Sequence, residues 1–109
     1  MNDSKEEQKI EKLASKRKSD AIIKLMGKAD TEVLLEALPA LAGIADEASC
    51  NCITKYLDHA DGSVRLAACK AALIIDTDYM QTHVRHALAI EKDAELKKSM
   101  QEALNEVRK

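Results

Sequence analysis

His83 and His86 stand three residues apart, a spacing that on a helix puts both imidazoles on one face, within reach of a shared metal ion. A structural zinc needs four ligands, and no third or fourth donor stands at a recognised spacing from this pair. Two solvent-facing helical histidines are the expectation. Cys50 and Cys52 form a C-x-C pair, which on a helix points the thiols about 200° apart and prevents easy chelation. Cys50 shares a face with Ile53 and Leu57 and is expected in the core. Cys69 is the one cysteine expected at the surface, as a small apolar residue or an accessible thiol. Lys12, Lys16, Arg17 and Lys18 make the only basic cluster. Helical geometry scatters them around the cylinder, and no aromatic residue nearby could stack on bases. There is no glycine-rich phosphate loop, no paired acid–base set and no nucleophile with a partner base. These residues point away from catalysis, a metal centre and a cofactor.

Composition constrains the elements that would carry any such residue. Hydrophobic residues make up 46% of the 109, yet Phe and Trp are absent and Tyr56 and Tyr79 are the only aromatics. Ala, Leu and Ile must fill the interior, which suits closely packed helices. With three Gly and one Pro, the punctuation that strands and tight turns need is nearly missing. The class is all-α. The net charge of −2 disfavours a general binder of nucleic acid or anionic membrane. An odd cysteine count, a charged start at MNDSKEEQ and the lack of an apolar run near the ~20 residues of a membrane span together suggest a reducing cytoplasm.

Organisation comes from a repeat. Asp61 can cap a helix, and Val64, Ala68, Ala71 and Ile75 follow as one stripe of the 3.6-residue period. Stepping back by 31 positions places Asp61, Val64, Ala71 and Ile75 on Asp30, Val33, Ala40 and Ile44. A forward step of 32 places them on Asp93, Leu96, Ala103 and Val107. A second set, Ile22 and Met26, recurs as Ile53 and Leu57 and then as Val84 and Leu88. Three antiparallel helix pairs follow, six helices in all, with Asp46 and Asp76 marking the turns between pairs. Residues 1–18 form a charged extension in which Ser4 and Glu7 make a capping box and Ile10, Leu13 and Ala14 a short stripe. This segment is expected to prolong the next helix. The repeat domain is 19–109, with repeats at about 19–45, 46–76 and 77–109.

The segments DTEVLLEALPALAGIADEA and ADGSVRLAACKAALIID resemble HEAT repeats of the short bacterial and archaeal type. Leu57, Asp61, Val64, Arg65, Ala68 and Ala71 match the pattern best. Repeat one departs with Leu34 where the family favours Arg, and repeat three with Leu96-Lys97 for Val-Arg. The resemblance implies an α-α superhelix, here a short right-handed solenoid of three HEAT-like hairpins, whose second helices line the concave face. It also implies an interaction scaffold rather than an enzyme. Asp30, Asp61, Arg65 and Asp93 are expected to be structural, with Arg65 pairing with Asp61 one turn earlier.

With Val64 at zero, Leu66, Cys69 and Leu73 fall within about 40° of the opposite side of their helix. Their equivalents Leu35, Leu38 and Ala42 are also apolar, whereas Lys98, Gln101 and Asn105 in repeat three are polar. Leu35, Leu38, Ala42, Leu66, Cys69 and Leu73 therefore form an apolar strip, expected to bind a partner helix or peptide. A homodimer is the alternative, and cover of the strip by residues 1–18 through Ile10 and Leu13 is the structural reading. Nucleic-acid contact through the basic N-terminal segment ranks last. Pro39 should kink its helix, because the ring removes a backbone donor and crowds the Leu35 carbonyl.

Overall fold

Most of the described helices start where a short polar side chain takes an orphan amide. The computed structural model describes residues 2–107 and the side chains of 8–107, so the Ser4–Glu7 capping box lies outside the described side chains. Seven helices run in the order α1 (Asn2–Ser15), α2 (Ser19–Met26), α3 (Thr31–Ile44), α4 (Glu47–Tyr56), α5 (Gly62–Ile75), α6 (Asp78–Ile90) and α7 (Ala94–Val107). Asp30, Asp46 and Asp61 precede α3, α4 and α5, and accept the amides of Val33 at 3.2 Å, Ser49 at 2.8 Å and Ser63 at 2.9 Å. Thr77 does the same for Met80 at 3.1 Å and Asp93 for Leu96 at 3.1 Å. Each such cap contributes about 1 kcal/mol. Asp76 does not resemble Asp46: it ends α5 with φ 54°, and Thr77 takes over as the cap.

The expected count of six helices is corrected to seven, because residues 1–18 do not prolong α2. The α1 helix closes in a Schellman motif. The amide of Lys18 donates to the carbonyl of Leu13 at 2.9 Å and that of Arg17 to Ala14 at 2.9 Å, with Arg17 at φ 55°. The left-handed residue reverses the chain, so α1 folds back against α3 instead of running on. Glycine is the usual residue there, which is why the break left no mark in the sequence. Ala45 (φ 57°) and Asp76 (φ 54°) close α3 and α5 in the same conformation, and neither is glycine. Arg17 gains an offsetting contact, since Nη2 donates to the carbonyl of Ile44 at 2.8 Å and caps the last turn of α3.

Two layers result. In one, α1, α3, α5 and α7 lie side by side; in the other, α2, α4 and α6 do, each packed on its hairpin partner. The body measures 35 × 26 × 20 Å. No strand occurs among the described residues, and none of the described helices is long and apolar enough to cross a membrane. The α3 helix runs unbroken through Pro39, which points to solvent.

Candidate functional site

The apolar strip read from the sequence is not a surface. Leu38 and Cys69 are 0% exposed, and Ala42 and Leu73 are buried as well. Of the six strip residues only Leu35, at 37% exposure, is exposed, and Leu66 is half-buried. The reason lies in the neighbours of each second helix. The α5 helix packs on α3 along one flank and α7 along the other, with α4 and α6 behind it. A Cβ at Gly62, on the flank that carries Leu66, Cys69 and Leu73, would meet Leu96 Cδ2 of α7 at 3.3 Å. The Val64 stripe and the Leu66 stripe are therefore both packing surfaces between repeats, one for the preceding hairpin and one for the next. In α3 and α5 the buried positions fill an arc of about 200°. Its midpoint lies at Leu41 and Ala72, not at Val33 and Val64.

The α1 helix supplies the same flank to α3. Aligned on the left-handed residues Arg17, Ala45 and Asp76, Ile10 and Ala14 fall on Leu38 and Ala42, and on Cys69 and Leu73. Ile10 is 1% exposed, and Leu13 and Ala14 pack against the core. Residues 1–18 thus cover apolar surface of repeat one through Ile10, but on the Val33 flank of α3; the strip itself is covered by α5 on α3 and by α7 on α5, not by α1.

What remains outside is the edge opposite that arc. On α3 it carries Leu35, Glu36, Pro39 and Gly43; on α5, Ser63, Lys70 and Ile74 with half-buried Leu66 and Ala67. Ile74 is 62% exposed and stands at a hollow of about 280 Å³ formed with Lys70 and Leu73 of α5 and Ala103, Glu106 and Val107 of α7. Sequence reasoning missed Ile74 because it measured the outward face from one edge of the buried arc. The whole apolar arc, averaged, would have located it.

Polar groups tie the repeats together at both ends of the hairpins. The Ser19 hydroxyl at the start of α2 donates to Asp46 at 2.6 Å, and the Thr31 hydroxyl at the start of α3 donates to Asp61 at 3.0 Å. The bond from Ser19, with those from Ser49, holds the Asp46 carboxyl below its usual pKa. For Asp61, Ser63 is the main cause and Thr31 adds to it. Arg65 does not pair with Asp61. Its guanidinium makes a bidentate pair with Glu91, Nε to Oε1 at 2.8 Å and Nη2 to Oε2 at 3.0 Å, while Nη1 donates to the carbonyls of His59 and Ala60. The Glu91 side chain is 5% exposed, and Arg65 holds its carboxyl below the usual range. The i+4 partner loses because Asp61 is already engaged at its own helix start and in the preceding repeat. Asp30, Asp61, Arg65 and Asp93 all make contacts that fix helix starts or join repeats.

The residues with chemical potential are placed as follows. The His83 ring meets Tyr79 edge-on at 4.5 Å, and His86 is exposed. Cys69, expected outside, lies in the core, where burial pushes its thiol up to about 11. Cys52 is buried and Cys50 only half-buried, the reverse of the expected emphasis on Cys50. Among the described residues no group of three His, Cys, Asp or Glu side chains could hold a metal ion.

A family model described as HEAT repeats matches residues 19–105. The comparisons with curated proteins and with solved structures returned no match.

Proposed function

Because this chain belongs to the HEAT-repeat family, whose members generally serve as protein-interaction scaffolds, we propose that it binds a partner helix across the outer edge of its second-helix layer. The contact residues in this reading are Leu35, Leu66 and Ile74, the last seated at the hollow between α5 and α7. The observation that carries it is the 62% exposure of Ile74, on a helix whose other large aliphatic side chains are buried or half-buried. Burying a side chain of that size contributes about 2 kcal/mol, to which Leu35 and Leu66 add in a helix-in-groove contact. The scaffold is non-catalytic in this reading, and the apolar strip first assigned to binding contributes its rim, Leu35 and Leu66, rather than its centre.

Photocrosslinking tests this. Benzophenone side chains placed at positions 35 and 74 should form adducts with one protein of defined mass in cells, and Ile74→Glu should remove the adduct formed from position 35. A benzophenone at Glu102, exposed on α7, is the control. Equal labelling from all three positions would defeat the reading, and adducts between two copies of the chain would replace the partner by a homodimer.

A further inference from the structure

A second concavity lies at the other end of the array. An open groove of about 530 Å³ runs between α1 and α2, lined by Lys9 and Leu13 from α1, by Ala21, Lys24 and Leu25 from α2, and by Lys28 in the turn that follows α2. The repeat explains why it is open. Ala21 stands 31 residues before Cys52, and Cys52 Sγ lies 3.9 Å from Met26 Sδ of the preceding hairpin. Ala21 thus occupies the place on α2 where a preceding first helix would pack, and none of the described helices lies there. The floor is apolar, with Leu13, Ala21 and Leu25 half-buried. The rim is three lysines, none in a salt bridge among the described residues. Charge in the two helices and their turns is net positive: residues 2–28 carry eight basic and five acidic side chains, although the whole chain is at −2, and all three charged residues that line the groove are lysines.

The geometry points to this groove as a docking site for an acidic amphipathic helix of a partner protein. Two adjacent helices with an apolar trough accept the i, i+3/4, i+7 stripe of a third. Lys9, Lys24 and Lys28 then face the carboxylates flanking that stripe, which selects acidic over basic helices and speeds their encounter. A nucleic-acid strand fits poorly, because the floor offers leucine and alanine where stacking on bases needs aromatic rings. The inference depends on the groove and its charge, not on the α3–α5 edge, so either can fail alone.

The test is fluorescence anisotropy with the full chain and a labelled synthetic helix of roughly 18 residues, Leu on one stripe and Glu flanking it. A charge-reversed peptide with Lys for Glu and an oligothymidylate of similar length are the comparisons. The acidic peptide should bind with a micromolar Kd. Binding should weaken about tenfold in Lys24→Glu/Lys28→Glu and in Leu25→Asn, and several-fold on raising salt from about 50 to 300 mM. Leu35→Glu should leave it unchanged, and amide shifts on binding should cluster on α1 and α2. Circular dichroism of each variant separates lost binding from lost fold, and Lys24→Gln/Lys28→Gln replaces any variant that unfolds. The proposal is overturned by failure of the acidic peptide to bind below about 1 mM, by equal binding of the basic peptide, or by tighter binding of the oligonucleotide. It is also overturned by self-association that Leu25→Asn abolishes, since a second copy would then own the groove.

Discussion

The α5 and α7 helices carry the same repeat and differ on one flank. In α5 that flank is Leu66, Cys69 and Leu73, and α7 packs on it. In α7 the same positions are Lys98, Gln101 and Asn105, all exposed, and no described helix follows. The apolar or polar character of this flank therefore reports whether another hairpin stacks there, not whether a partner binds. In a repeat array each interior helix is buried along two flanks and its back, so an apolar stripe opposite the obvious one is ordinary core. The narrow edge left over is the surface to which the proposed function assigns binding.

The comparison breaks most sharply with a charge on each helix. Cys69→Glu places a carboxylate in a fully buried site on α5 and should cost about 4 kcal/mol or more, whereas Gln101→Glu on α7 should stay within about 0.5 kcal/mol, both read by urea denaturation. Similar losses for the two would mean that the flanks are equivalent and the facing is wrong. Next in size is Leu38→Ala on α3, which should cost about 3 kcal/mol, while Leu35→Ala three residues earlier costs under about 1 kcal/mol.

Joining of repeats two and three is sharpened by Glu91→Gln, which leaves Arg65 without its bidentate partner and should cost about 2 kcal/mol in the same assay at neutral pH. Glu91, Asp46 and Asp61 all have folded pKa values below their ordinary ones. Their stabilisation is present above the usual carboxylate range and is lost as pH falls through the lowered values. The urea midpoint should therefore drop between about pH 5 and pH 2, and drop less steeply in Glu91→Gln. The smallest effect concerns helix ends. Ala45→Gly relieves a left-handed alanine and should stabilise by about 1 kcal/mol, visible as a rise in Tm of about 4 °C or more. Arg17→Gly relieves similar strain but forfeits the bond to Ile44, so it should fall near zero, while Arg17→Ala loses the bond and keeps the strain.

Much of the fold was legible because caps and stripes are local. Asp30, Asp61 and Asp93, spaced by the repeat, start their helices as read. The break between α1 and α2 was not legible, since Arg17 occupies a conformation that glycine normally announces. Sequence spacing points Arg65 to Asp61, its nearest acid one turn away, yet Glu91, 26 residues on, wins by offering two oxygens to the guanidinium fork. The candidate site suffered most. Periodicity finds a helix's apolar arc but does not say how many neighbours share it, so it points Cys69 and Leu38 outward and gives no signal for Ile74.

Alkylation of Cys69 puts the packing of α7 on α5 to the most direct trial. Iodoacetamide labelling of the folded chain, resolved by peptide mass spectrometry so that Cys50 and Cys52 are read separately, should modify Cys69 only as fast as the protein globally unfolds. A thiol at position 69 that reacts in the native chain at the rate of a free cysteine would contradict the account.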